Sequence, residues 1–138
     1  VLRLVDEERI LSKIDQLDQY QSELQDDLPQ SLEDYKDERR KYERLLHLSI
    51  ENVVDISTLI LTEEGLGAPA SEESVFDKLV EAEIFDEQFG EKLKNMKSFR
   101  NILVHRYGDI NDEKVYTKLS ELEDFEKFRK KVINYLEN

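Results

Sequence analysis

A chain of 138 residues with 20 Lys and Arg against 33 Asp and Glu has a formal net charge of -13, which argues against broad nonspecific binding of DNA or RNA, because that needs many phosphate-neutralising cations. It contains no cysteine, so disulfide frameworks and thiolate chemistry are excluded. Four glycines and two prolines supply too little turn chemistry for an all-β fold, while 38% charged beside 38% apolar residues suits amphipathic helices with solvated outer faces. The acidic balance fits a basic partner and still leaves room for a small cationic site. The length fits one domain over 1–138 with one core. No run of 18 apolar residues occurs, and the opening "VLRLVDEERIL" is too charged for a signal peptide. The expectation is a soluble cytoplasmic protein with no membrane contact.

Along the chain, Leu4, Ile10 or Leu11, Ile14, Leu17, Tyr20 or Gln21 and Leu24 recur at helical spacing, so the first segment predicts an amphipathic helix that Pro29 ends. A second, longer helix is predicted from Tyr35 to about Thr62, closed by a connector with Gly65, Gly67 and Pro69. That connector has neither the length nor the lysine of a phosphate-binding loop. "SEESVFDKLVEA" predicts a short helix with Ser71, or alternatively Ser74, as N-cap. After a turn near Ile84 to Asp86, a helix is predicted through "DEQFGEKLKNMKSFRNILVHRY", stopped by Gly108 at a C′ position. The last helix starts near Asn111, with Asp112 and Glu113 in its first turn, and runs to about Leu136. The predicted fold is all-α: an up-and-down bundle of four long helices plus a short one.

The second helix is apolar around nearly its whole circumference, which predicts a central position. Its one polar stripe is Arg44, His47, Glu51, Asp55 and Thr58. Carboxylates on a buried stripe need a cation, so Glu51 and Asp55 predict a nearby arginine, unless the stripe pairs internally as Arg44–Glu51 or His47–Glu51. His47 reads as a member of that stripe rather than as a second catalytic base.

The stretch "SFRNILVHRYG", residues 98 to 108, holds the chain's second histidine. On a helical wheel Arg100 and Tyr107 share one face about 10 Å apart, inside the apolar arc of Phe89, Leu93, Met96, Phe99, Ile102, Leu103 and Val104. Asn101 and His105, four residues apart, neighbour each other on the polar edge with Ser98 and Lys94. Arg100 is therefore the arginine that Glu51 or Asp55 would hold. Arg, Asn, His and Tyr together can clamp a phosphate, orient a hydroxyl, move a proton and stack a base. Taken alone, the same spacing also fits a helix end whose histidine answers the helix dipole. No cluster has metal-ligand spacing, and neither a metal nor a cofactor is expected.

"FRNILVHRYGDINDEKVY" resembles the signature of HEPN domains of the HepT type: Arg, four to six residues, His, any residue, Tyr. The matching positions are Arg100, His105 and Tyr107, with Asn101 in the polar slot after the arginine. "YERLLHLSIENVVDIS", "EEGLGAP" and "LEDFEKFRKKVINYL" resemble the family's second helix, connector and closing helix, so the resemblance runs from about Leu4 to Leu136. It implies a HEPN-like helical bundle, paired across a two-fold axis into a homodimer with a shared cleft. It further implies a toxin of a two-component toxin–antitoxin module that is a metal-independent endoribonuclease acting on RNA. The partner it implies is an MNT-type nucleotidyltransferase antitoxin. Under this resemblance Arg100 and His105 are catalytic, Asn101 and Tyr107 bind substrate, and Tyr107 is the candidate for AMPylation by the partner. A non-catalytic HEPN module that only pairs with a nucleotidyltransferase is the alternative.

Overall fold

The computed structural model describes the backbone of residues 2–104 and 111–137, and side chains within 7–103 and 111–137. Among these residues all regular structure is helical: α1 Leu2–Asp26, α2 Leu32–Asp37, α3 Arg39–Glu63, α4 Glu72–Glu81, α5 Glu87–Val104, α6 Asp112–Lys118 and α7 Glu123–Glu137.

On α1 the helical period resolves to Ile10, Ile14, Leu17 and Leu24, all buried, while Leu11 is 43% exposed. The helix ends at Asp26, three residues before Pro29. It lies antiparallel against α3, as three cross-links at opposite ends show. Lys13 reaches Asp55 at 3.4 Å, Gln21 donates to the Ser49 hydroxyl at 3.0 Å, and the Tyr42 hydroxyl donates to the Asp27 carbonyl at 2.8 Å.

Helix α3 is the centre of the fold, packed against α1, α4, α5 and α7. By length and composition alone it is apolar enough to cross a membrane, but 61% of that apolar window is buried inside the protein. A helix greasy on nearly all sides is what a central core position demands. It stops in a Schellman turn. Gly65 adopts φ 67, and its N–H bonds the Thr62 carbonyl while that of Leu66 bonds the Leu61 carbonyl at 3.2 Å. Only a residue without Cβ takes that left-handed conformation freely, so Gly65 sets where α3 ends.

Two predicted helices are each broken in two. The second divides at Glu38 (φ -125, ψ 33), whose carbonyl then accepts from Lys41 and Tyr42. The run Lys36-Asp37-Glu38-Arg39-Arg40-Lys41 offers no apolar side chain to the core, so nothing holds those turns in register. The break lets buried Tyr35 stack on Tyr42, with ring centroids 5.8 Å apart, and lets Arg39 reach Asp112 at 2.6 Å. The last predicted helix divides at 119–122. There the Ser120 hydroxyl takes the Thr117 carbonyl at 2.6 Å, and Ser120 and Glu121 make tight turns back to Thr117 and Lys118. A side-chain hydroxyl that competes for a helix carbonyl favours such a break. Leu119 and Leu122 stay buried on either side of it.

The predicted cap at Ser71 is present, and the last predicted helix begins where expected, with Asn111 as its cap. Ser71 and Ser74 form a reciprocal capping box at the start of α4, and the Asn111 side chain accepts from Glu113 and Lys114. Asp86 caps α5 by accepting from the Phe89 N–H at 2.7 Å. That bond, above all other causes, holds the Asp86 carboxyl below its ordinary value of 3.8.

Candidate active site

Arg100 sits on α5, four residues before its last described residue, Val104. Its position follows from an antiparallel α4–α5 hairpin closed by residues 82–86. Gly90 abuts Val80 at the closed end. Moving outward, Lys94 meets Asp77 at 2.5 Å, Lys97 meets Glu73 at 3.6 Å, and Arg100 meets Glu72 at 2.6 Å. The Asp77 carboxylate raises the pKa of Lys94, so the rung next to the turn stays charged at any neutral pH. The apolar edge of α5 meanwhile buries Leu93, Met96, Phe99 and Leu103.

The Arg100 side chain is 16% exposed, while its partner Glu72 is 46% exposed. The contact is made by one guanidinium nitrogen, Nη2, and Nε is buried with no hydrogen-bond partner. Nε and Nη2 share one edge of the guanidinium, the edge that grips a phosphate or carboxylate through two parallel bonds. Glu72 fills one half of it.

Arg100 does not pair with Glu51 or Asp55, contrary to the expectation from the sequence. Glu51 lies 3.5 Å from His47 and Asp55 lies 3.4 Å from Lys13. Both carboxylates are nearly half exposed, 47% and 43%, so water solvates them and no buried cation is required. Residues Leu46 and Ile50 of α3 meet Met96 and Phe99 of α5 around a shared small cavity, so α3 turns its polar stripe elsewhere. The internal His47–Glu51 pairing at helical spacing is the reading that holds. The helical wheel of α5 carries no signal for Glu72, which lies on the neighbouring helix α4. The pairs Val80/Gly90, Asp77/Lys94, Glu73/Lys97 and Glu72/Arg100 follow one antiparallel register, which depends on how α4 packs against α5.

Asn101 is half-buried and has no hydrogen-bond partner among the described residues. His105 and Tyr107 lie outside the described residues. Beside the Glu72–Arg100 pair opens a cleft of about 590 Å³ between α1, α3 and the start of α4, lined by Arg9, Lys13, Asp55, Thr58, Ser71 and Glu72 among others.

The sequence model of the Ribonuclease HepT-like family matches residues 10–132. This chain belongs to the HepT-like ribonuclease family. It is 35% identical over 79 residues to the mRNA nuclease HepT of Shewanella oneidensis, covering 56% of this chain and 59% of that protein. The matched stretch thus spans little more than half of the relative's length. Among solved structures, the tri-AMPylated Shewanella oneidensis HEPN toxin, in complex with its MNT antitoxin, superposes with a TM-score of 0.78 at 25% identity, covering 91% of this chain and 96% of the other. The cytosolic protein YutE of Bacillus subtilis, of unknown function, superposes at 0.81 with 22% identity over 96% of this chain and 91% of its own, which shows a shared fold. The HEPN-like bundle expected from the sequence is therefore the fold of this chain.

Proposed function

We propose that this HepT-like chain is the toxin of a toxin–antitoxin pair and cleaves RNA without a metal, through Arg100 and His105 in a cleft shared by two copies of the chain. The observation that carries this reading is the family match over 10–132, which spans the Arg-x4-His-x-Tyr pattern at Arg100, His105 and Tyr107. The geometry of Arg100 is consistent with it: a guanidinium on a buried stem, its gripping edge half-filled by a carboxylate.

RNA cleavage without a metal needs a base for the 2′-hydroxyl, a cation for the phosphorane and an acid for the leaving group. His105 removes the 2′-hydroxyl proton, since an imidazole titrates near neutrality. The 2′-oxygen attacks phosphorus and the bond to the 5′-oxygen breaks. Arg100 neutralises the charge that builds on the non-bridging oxygens. The 5′-oxygen takes its proton from the same histidine of a second copy, which gives the homodimer a chemical purpose. Asn101 and Tyr107 hold substrate beside these groups. An MNT-type nucleotidyltransferase neutralises the toxin, with Tyr107 as the residue that receives AMP.

Purified protein in EDTA should cut single-stranded RNA to fragments ending in 2′,3′-cyclic phosphate and 5′-hydroxyl, and co-expression of the nucleotidyltransferase should suppress the cutting. Retention of full activity by His105→Ala would reject the assigned site. The net charge of -13 favours one second reading, a non-catalytic module that only pairs with the nucleotidyltransferase. Stable co-purification with that partner, combined with no cleavage by partner-free protein, would select it.

A further inference from the structure

The cleft beside Arg100 has a charge pattern unlike the rest of the chain. Across all 138 residues acids outnumber bases by 13. Around the cleft, Arg9 and Lys13 on α1 and Arg100 behind its wall set three cations against the carboxylates of Asp55 and Glu72. Arg9 is exposed and has no ion-pair partner among the described residues. Lys13 is held by Asp55 only at 3.4 Å, with both side chains more than a third exposed, so the pair is weak and exchangeable. Arg9 and Lys13 lie one turn apart on the same face of α1, about 6 Å along the axis. That spacing suits neighbouring phosphates of an extended strand. Ser71 adds a hydroxyl at the rim whose oxygen accepts from the Ser74 N–H, leaving its own O–H to donate.

The volume of about 590 Å³ falls inside the range of roughly 300–1,000 Å³ typical of ligand sites. Glu72 belongs both to the cleft wall and to the Arg100 contact, so only this one carboxylate, itself 46% exposed, stands between the cleft and the guanidinium. The buried, unpartnered Nε of Arg100 completes a two-point edge that one Glu72 oxygen leaves half used.

We propose that this cleft is the track of the RNA strand, with Arg9 and Lys13 each holding a backbone phosphate and Glu72 serving as the anion that a substrate phosphate displaces from Arg100. The inference rests on the endoribonuclease reading above. A protein this acidic binds RNA only where cations are gathered, and among the described clefts this one lies beside the proposed catalytic arginine.

The test measures anisotropy of a fluorescein-labelled single-stranded RNA 12-mer in the His105→Ala background, where cleavage does not interfere. Arg9→Gln with Lys13→Gln should raise Kd by about tenfold and flatten the plot of log K against log salt by about 1.4, two contacts at 0.7 each. Glu72→Gln should lower Kd a few-fold, because no carboxylate then competes for Arg100. Unchanged Kd and salt slope in the double variant would overturn the proposal, as would weaker binding by Glu72→Gln. So would loss of nucleotidyltransferase binding with RNA affinity intact, which would make the cleft the antitoxin's seat. If wild-type cleavage depends on His105 while the double variant binds RNA normally, only the track fails. If RNA is neither cut nor bound, the endoribonuclease reading fails with it. Unchanged melting of the exposed-site variants would exclude misfolding as the cause.

Discussion

Gly90→Ala sets two well-scaled effects against each other. Within a helix the substitution gains about 1 kcal/mol in propensity. Against that, an added Cβ would meet Val80 Cγ2 at 2.5 Å, whereas carbon atoms settle at about 3.5–4.0 Å. The shortfall of about 1 Å cannot be absorbed by a side-chain swing, because a valine in a helix has essentially one rotamer. The α4 and α5 backbones must separate instead, and such overpacking costs about 1–3 kcal/mol. The clash wins: Gly90→Ala should lose about 1 kcal/mol net and lower Tm by about 4 °C. Removing the obstacle should reverse the sign, so that Gly90→Ala in a Val80→Ala background stabilises by up to about 1 kcal/mol. Thermal melts of the four proteins of this cycle decide it. A stabilising Gly90→Ala in the wild type, or an equal loss in both backgrounds, would refute the close approach of the two helices. The same approach registers Glu72 against Arg100 at the hairpin's open end, ten residues and about 15 Å along α5.

Asp86→Asn keeps a capping oxygen but removes the charge, so it should lower stability at neutral pH by less than Asp86→Ala does. Because the folded carboxyl titrates below its ordinary value of 3.8, its stabilising effect is full above that value and fades as pH falls through the lower folded one. Acid titrations of wild type and Asp86→Asn should therefore converge below pH 3.8, and parallel curves would reject the capping role. Glu83 holds φ 61 in the turn between α4 and α5, a conformation that strains a side-chain-bearing residue. Glu83→Gly should raise stability by about 0.5–1 kcal/mol, read as a higher midpoint in urea. Arg100→Ala should abolish RNA cleavage while leaving the fold intact, since Glu72 is 46% exposed and water solvates it once the cation is gone. A collapse in circular dichroism would show instead that Arg100 is structural.

Much of the bundle was legible in residue spacing. The period of Ile10, Ile14, Leu17 and Leu24, the near-continuous apolar run of α3, the cap at Ser71 and the helix start near Asn111 each mark a local preference that the packed chain keeps. What escaped was set by competition rather than by preference. The division at Glu38 falls in a charged run that gives the core nothing to hold, and that at 119–122 falls where Ser120 takes the Thr117 carbonyl. At the site, the spacing places Arg100 on the buried side of α5, where its side chain is 16% exposed, but its carboxylate comes from α4 and not from α3. The polar stripe of α3 looked buried because the helix is central. In fact it is half exposed, and Glu51 and Asp55 are occupied with His47 and Lys13. Long-range pairing such as Glu72 with Arg100 follows from hairpin geometry, which no single helical wheel contains.

Whether this chain is an endoribonuclease working through its Arg-x4-His-x-Tyr pattern turns on a single comparison: cleavage of single-stranded RNA in EDTA by wild type, Arg100→Ala and His105→Ala at equal concentration and equal folded fraction. The account predicts cleavage by wild type alone. Equal cleavage by all three, or cleavage that EDTA abolishes, would contradict it.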